Sequence, residues 1–489
     1  MNNQDKQPAG ALPSYITSAI PNSPEKRAPW YANTAPTYAG IFLWFVFWQD
    51  AVNAPNAGGM LSQGVGWALL SLVLAALVCH FLFYLAPGLL GMKSGLPLYI
   101  VGTSTFGAKG GFLMPGFLMG VLQFGWVGVN VFFSSQALAQ VIPLPLPVIM
   151  VVWGVLAAFV GLKGIQYVAK VATYLPLIPL VILLILLAKT AGGIGHFDPQ
   201  GFIALHKGLS PQAPAPLSAF GVMAVMMTFV VGFFATAGAA GVDFGTNSRN
   251  KGDVQMGGLV GIALAIIVTA GISLLIVAGA YGSPDFSQAA VKAATEAAAK
   301  ANPPAAPSLI LQSPGLIPIL MGKSAGLILF LLALAAFPPA CFSAFIAANS
   351  FKTTLPNVNP FVSVGIGTVV SIVLAITGLA GKAIIVFQII GASFGPICGA
   401  MMVDYLLAGG KWSGPRAGFN PAGWVAWLAG FVVGILPILN VYPVPAAPVA
   451  AFVVGAVLYF VCAKLGLQSP VIPLPAAAAQ SKPAAAAAK

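Results

Sequence analysis

The chain has 489 residues, and its 21 Lys and Arg and 9 Asp and Glu make only 6% of it charged, against roughly 25% in a soluble globular protein. With 59% hydrophobic residues and a mean hydropathy of +0.94, the composition excludes a soluble globule, a collagen, a disulfide scaffold and a disordered chain, and points to an all-α polytopic membrane protein. The formal net charge of +12 is spread singly along the sequence, without the cluster that phosphate tracking needs, so the lipid bilayer is the expected partner and nucleic acid is not.

Residues 1–37 contain no apolar run and read as an unfolded cytoplasmic tail with no cleaved signal peptide. Apolar stretches of bilayer length, about 20 residues, then follow at 38–63, 66–91, 112–140, 146–162 and 172–190. An outside loop at 191–215 leads to 216–241, 255–281, 322–349, 360–380 and 383–407, and then to 421–441 and 445–464. The pattern predicts twelve transmembrane helices: five over 38–190, five over 216–407 and two C-terminal ones over 408–465, ahead of a disordered cytoplasmic Pro/Ala/Lys tail at 466–489. With the N-terminus inside, only Lys189, Lys207, Lys292, Lys300, Lys323 and Lys382 of the 21 basic residues fall outside. The positive-inside rule therefore puts both termini in the cytoplasm of a multi-pass cell (inner) membrane protein. The Ala-rich run Ser287 to Lys300, in an outside segment, reads either as a short helix over the mouth or as a solvated spacer.

Irregular backbone inside a bilayer is tolerated only where it lines a cavity or is buried in protein, so breaks point at sites. The first span carries Asn53-Ala-Pro-Asn-Ala-Gly-Gly59 and the sixth carries Thr236-Ala-Gly-Ala-Ala-Gly241. Both are expected to be unwound midway through the bilayer. Five spans apart, the two segments insert in opposite directions, which predicts a five-plus-five inverted repeat with substrate and ion held between two broken helices. Gly391, Gly395 and Gly399 in the tenth span instead read as a smooth face for close helix contact. Gly322-Lys323-Ser324 lacks the glycine and the strand of a phosphate loop, so ATP binding is not expected.

An intramembrane carboxylate is a functional candidate by default. Asp50, beside Gln49 and followed by Asn53, could relay a proton, sit by a cation, or face an aqueous vestibule. Trp126 and Asn130 lie one helical turn apart, with Gln123 nearby, so an indole face and an amide present one side to a flat heterocycle. Phe233 and Phe234 precede the sixth-span break and could close the opposite face. In the eighth span, Ser343 and the turn disrupted by Pro338-Pro339 offer oxygen ligands to a cation, and Asn349 lies further along. Asp243, Arg249 and Asp404 fall at span ends and read as anchors. His80 reads as a packing residue, and His196 and His206 lie outside without the spacing of a zinc site. The four cysteines sit in apolar runs as small hydrophobes. No catalytic constellation appears, so an enzyme is not expected.

These residues also resemble a known family. Lys93-Ser-Gly-Leu96, Ser104-Thr-Phe-Gly-Ala-Lys-Gly110, Gln123-Phe-Gly-Trp-Val-Gly128, Val242-Asp-Phe-Gly-Thr-Asn-Ser-Arg-Asn250 and Val403-Asp-Tyr-Leu-Leu407 resemble, in order and spacing, the nucleobase:cation symporter-1 (purine-cytosine permease) family. The resemblance covers about 430 residues. It implies twelve spans, an inverted repeat of the leucine-transporter type, and uptake of a nucleobase or related ring (cytosine, purine, allantoin or hydantoin class) with Na+ or H+ and no further cofactor. It also implies that Trp126 stacks the ring, Asn130 stands at a ligand-facing position, Phe234 is the second stacking aromatic and Asn349 hydrogen-bonds substrate. By the same likeness Ser343 lends a hydroxyl to a Na+ site, beside carbonyls of the first span and of Ala340. Two departures leave Na+ and H+ both open: Ala344 replaces a second hydroxyl of the sodium-dependent members, and Ala340 stands where purine and cytosine permeases often carry asparagine.

The expected function is thus secondary active import of a planar nitrogen heterocycle. Its expected site comprises Trp126, Asn130, Phe234, Asn349, Gln123 and Thr236, and its cation elements are Ser343, Ala340, Asp50 and Asn53. An amino-acid permease on the same repeat and a channel are the alternatives.

Overall fold

The computed structural model describes residues 12–45, 55–163, 167, 174–300, 306–355 and 357–474. Asp50 and Asn53 lie outside the described residues.

Among the described residues the apolar stretches are largely helical, because a backbone in hydrocarbon must satisfy its own hydrogen bonds. In chain order the helices are α1 (Thr34–Phe45), α2 (Val65–Ser94), α3 (Leu98–Phe106), α4 (Phe112–Leu138), α5 (Leu146–Lys163), α6 (Leu177–Ile194), α7 (Pro199–Leu209), α8 (Ala219–Ala239) and α9 (Gly241–Gly245). There follow α10 (Lys251–Tyr281), α11 (Pro284–Lys300), α12 (Ser313–Met321), α13 (Ala325–Thr354), α14 (Pro360–Ile376), α15 (Ala383–Leu407), α16 (Pro421–Ile435) and α17 (Ala447–Lys464). Among the described residues, 9 helical segments are long and apolar enough to cross a membrane, and α14 and α16 are shorter apolar helices. The molecule is therefore a multi-pass membrane protein.

Close approach of small residues holds these helices together, as expected where lipid removes the hydrophobic drive between them. A Cβ on Gly391, Gly395 or Gly399 would come within 2.5, 2.8 and 2.3 Å of α17 atoms (Pro448 Cγ, Pro448 O and Phe452 O). This is the smooth face read from their spacing. The run Thr236 to Gly241 serves the same end and is not unwound. α8 stays helical through Ala239, and the chain only turns at Ala240 before α9. The reason is packing: Gly238 seats against Phe83 and Gly241 against Tyr84, where a Cβ would come within 2.9 and 2.8 Å.

The other expected break is also displaced. Its described part is non-helical from Pro55 to Gly58, and Gly59 opens a short 3-10 turn to Leu61, but this segment lies in the connection to α2 at one end of the bundle. There Ala57 N donates to Pro214 O (3.0 Å) and Asn56 Nδ2 to Ala215 O (2.7 Å). Genuine irregularities inside spans are wide π-type turns at Cys79–Tyr84 and Leu259–Leu264, and a kinked one at Phe112–Phe117 that contains Pro115.

The two bundle ends differ. One is capped by α7, by the 210–219 segment and by α11, which buries Phe286, Ala290, Ala294 and Ala298 on one face; the Ala-rich run is thus a packed helix. At the opposite, N-terminal end, residues 12–33 are docked in place of the expected unfolded tail. Leu12 and Ile16 are buried, the Tyr15 hydroxyl donates to Ala108 O, Arg27 donates to Met92 O (2.7 Å) and Trp30 N donates to Asp253 (3.2 Å). Residues 466–474 are docked likewise, with Ala417 N on Pro470 O (2.9 Å) and Ile472 N on Pro415 O (2.8 Å). Asp404 is an anchor: its buried carboxylate accepts from Ser104 (2.6 Å), Tyr459 (2.7 Å) and Arg416 (3.4 Å), tying α15 to α3 and α17. Arg249 is an anchor too, paired with Asp253 at 2.8 Å. Asp243 accepts from Leu98 N (2.9 Å) and so caps α3.

Candidate functional site

Trp126 on α4 points into the bundle and is 8% exposed. Its Nε1 donates to Thr236 Oγ1 on α8 at 3.2 Å, which fixes the plane of the indole. Around it stand Phe233 of α8, edge-on at 5.0 Å between centroids, and Phe387 of α15, at 5.4 Å and 30° to the indole plane. Phe233 and Phe387 meet edge-on at 5.5 Å, and Phe229 closes on Phe387 at 4.9 Å. α8 and α15 cross closely here because Gly232 has no side chain: a Cβ would come within 2.5 Å of Phe387 O. Three helices thus build one box of aromatic faces with a hydroxyl at its edge.

The rings that meet at this point are Trp126, Phe233 and Phe387. Phe234 is turned a further step round the helix, fully buried against α1, with its ring over Phe42 (5.9 Å, 25°) and near Tyr38 (5.8 Å). The expected Trp126–Phe234 pair is corrected accordingly: consecutive helical residues point about 100° apart, and only Phe233 faces α4.

Asn130 does not open onto the box. Its Nδ2 donates to Ala336 O (2.7 Å), and its Oδ1 accepts from Trp153 Nε1 (3.1 Å) and Ser134 Oγ (3.3 Å). At 1% exposure, the amide staples α4 and α5 to α13 beside the Pro338-Pro339 turn. Gln123 is buried on the Trp126 face of α4, its Nε2 toward Met119 Sδ at 3.5 Å. Asn349 is exposed near the end of α13, where its carbonyl accepts from Thr353 (2.9 Å).

Ala340 is buried and Ser343 half-buried on α13. Two contacts bracket their depth: Ala336 lies opposite Asn130, and a Cβ on Gly120 would come within 3.0 Å of the Ser350 hydroxyl. Ser343 therefore sits at the level of Gln123 to Trp126, near the aromatic box. α13 runs as one helix from Ala325 to Thr354 through Pro338 and Pro339, whose rings remove two donors from its backbone ladder.

Sequence reasoning missed Phe387 as a member of the box. Its signal was present, one turn before the Gly391, Gly395 and Gly399 face, yet read only as helix packing.

No family model matches the chain. Cytosine permeases of Escherichia coli strain K12, O6:H1 (strain CFT073) and O157:H7 are each 26% identical to it over 232 residues, 46% of this chain and 50% of each permease. The chain thus spans about half the length of the curated relatives it matches. Among solved structures, inward-facing Mhp1 aligns with a TM-score of 0.63 at 16% identity, covering 96% of this chain and 97% of Mhp1. Mhp1 described as a nucleobase-cation-symport-1 family transporter, closed with bromovinylhydantoin bound, aligns at 0.60 and 14% identity over 94% and 95%. A Na+-coupled sialic acid symporter aligns at 0.51 and 13% identity over 92% of each chain. The chain is thus similar in sequence to part of the cytosine permeases and shares its fold with Mhp1.

Proposed function

We propose that the protein imports a nucleobase or related planar nitrogen heterocycle by cation symport, holding the ring in the box of Trp126, Phe233 and Phe387. That box is the observation that carries the reading. Offset and edge-on aromatic contacts add roughly 0.5–1.5 kcal/mol each beyond area burial, which suits a flat ring and gives an aliphatic amino acid or a hydrated ion little. The Thr236 hydroxyl and the Gln123 amide supply polar edges. Relatives that carry cytosine in their name and a neighbour solved with a hydantoin agree with this class. The fold alone does not choose the substrate, since a sialic acid symporter shares it.

In the same reading the chain crosses the membrane twelve times, by α1, α2, α4, α5, α6, α8, α10, α13, α14, α15, α16 and α17. Spans one to five are inverted against six to ten, and both termini are cytoplasmic. The coupling cation, Na+ or H+, sits between the first span and α13 at Ser343 and Ala340. Substrate moves by rocking of one helix group against the other about the fixed site.

Radiolabelled uptake of cytosine, uracil, hypoxanthine, allantoin and hydantoin, with sodium removed and pH varied, tests this. The expected result is saturable uptake of at least one ring, driven by one of the two ions and lost in Trp126→Ala. Absence of uptake for all five, or undiminished uptake by Trp126→Ala, overturns it.

A further inference from the structure

The capped end of the bundle holds an arrangement that transport by the aromatic box does not use. Gly58 has φ +78°, a left-handed backbone that glycine takes without strain, and its N–H donates to His206 Nδ1 of α7 at 3.1 Å, in a buried bond. α7 packs so closely that a Cβ on Gly58 would come within 2.6 Å of Ile203 Cγ1. The same segment is zipped further along the 214–219 backbone by Ala57 N, Asn56 Nδ2 and Gln63 Nε2, the last onto Leu217 O at 2.7 Å, and by Trp67 Nε1 onto Ala219 O at 2.7 Å. All of these bonds are insensitive to protonation except the one at His206. This segment also leads directly from the first span into α2.

We propose that His206 is a proton-operated latch on the capped end of the bundle. As an acceptor at Nδ1 the ring must be neutral, with its proton on Nε2. Protonation puts a second N–H at Nδ1, facing the Gly58 N–H, so the bond is replaced by donor against donor and the 55–64 connection is released. A cavity of about 370 Å³, lined by His206, Pro55, Ser308 and Gln312 among others, opens beside the ring and gives water a route to it.

No carboxylate faces the imidazole among the described residues to stabilise its charged form. The 55–63 segment and the 308–315 wall present no titratable side chain. Tyr281 has its hydroxyl committed to Ile310 O (2.8 Å). On α7 itself, Asp198 is occupied at the helix start by Gln200 N (3.0 Å) and Gly201 N (2.8 Å), and Lys207 carries like charge. Burial holds the ring below its ordinary value of 6.5. The neutral, latched form is therefore the one present at neutral pH, and it is lost as pH falls through a midpoint below that value.

Hydrogen exchange of the purified full chain at pH 7.5 and 5.0, with labelling times scaled for the chemical exchange rate, tests the latch independently of any transported substrate. Protection of the 55–64 peptide is expected to fall about five-fold or more at pH 5.0 in the wild type, the equivalent of about 1 kcal/mol for one lost hydrogen bond. It should stay low at both pH values in His206→Ala and stop depending on pH in His206→Gln, while α4 peptides stay unchanged throughout. With only three histidines in the chain, the 13C-labelled imidazole signal lost in His206→Gln identifies His206, and its titration midpoint should coincide with the loss of protection. Unchanged wild-type protection at pH 5.0, an equal fall in His206→Gln, or a midpoint that does not coincide overturns the proposal.

Discussion

The bond from Trp126 Nε1 to Thr236 Oγ1, 3.2 Å long, joins α4 to α8 at the edge of the aromatic box. Trp126 and Thr236 are 8% and 3% exposed, so water does not compete for it. Thr236→Val keeps the shape and removes the acceptor; Trp126→Phe keeps an aromatic face and removes the donor. A neutral hydrogen bond contributes about 1 kcal/mol net, a factor of about five. Each single substitution should therefore raise the substrate concentration for half-maximal uptake at least five-fold, Trp126→Phe more because its smaller face also stacks less. If the bond orients the indole, the double variant falls short of the product of the two losses, with a coupling of about 1 kcal/mol, inside the 0.5–3 kcal/mol range of residues in contact. Initial uptake rates over a range of concentrations, corrected for protein in the membrane, measure the cycle, and melting temperatures of the purified variants separate orientation from unfolding. Losses that multiply to within about 0.3 kcal/mol, or a Thr236→Val variant with wild-type uptake, refute the reasoning.

Phe387→Leu, which keeps most of the volume of a ring only 2% exposed but removes its aromatic face, should strongly reduce saturable uptake with little change in melting temperature. Phe234→Ala, which empties a fully buried position against Tyr38 and Phe42, should instead cost about 3–5 kcal/mol of stability; the reverse pattern would return Phe234 to the site. Asp404→Ala strands Arg416, whose side chain is 11% exposed, and the Tyr459 hydroxyl. Losing one partner of a buried pair costs about 3–5 kcal/mol, read as a lower melting temperature. Burial raises the Asp243 carboxyl from 3.8 to about 6 while Leu98 N holds its charged form. A raised carboxyl favours the neutral state, so its stabilising share is present at low pH and lost as pH rises through about 6. Asp243→Asn should accordingly raise the melting temperature at pH 7.5 and leave it nearly unchanged at pH 5.0; a drop at both values would show that the charge itself is needed to cap α3.

Span positions were legible because bilayer thickness fixes a length and hydrocarbon forbids charge. The stretches 66–91, 112–140 and 383–407 reappear as α2, α4 and α15 within a few residues. The tails were misread for the opposite reason. Residues 12–33 and 466–474 are Pro-rich, with no period, and they dock by a few apolar side chains (Leu12, Ile16, Ile472, Leu474) and by backbone and polar side-chain bonds, such as Arg27 to Met92 O and Ser469 N to Asn420. Composition cannot register such bonds.

The aromatic site shows why the remainder was hidden. In water, the apolar stripe of a helix tells which face is inward; in a bilayer both the lipid face and the core face are apolar, so α8 carries no phase. Sequence could therefore place Phe233 and Phe234 at the right depth without choosing between them, and the choice fell to Gly232, whose missing side chain lets α15 bring Phe387 over one ring and not the other. The same ambiguity attends small residues. Gly238 and Gly241 read as a place to unwind, yet each is occupied by a partner ring, Phe83 and Tyr84, and a helix that is filled from outside has no reason to open. What a glycine does within a membrane is decided by the side chain that faces it, and that neighbour lies some 150 residues away in sequence.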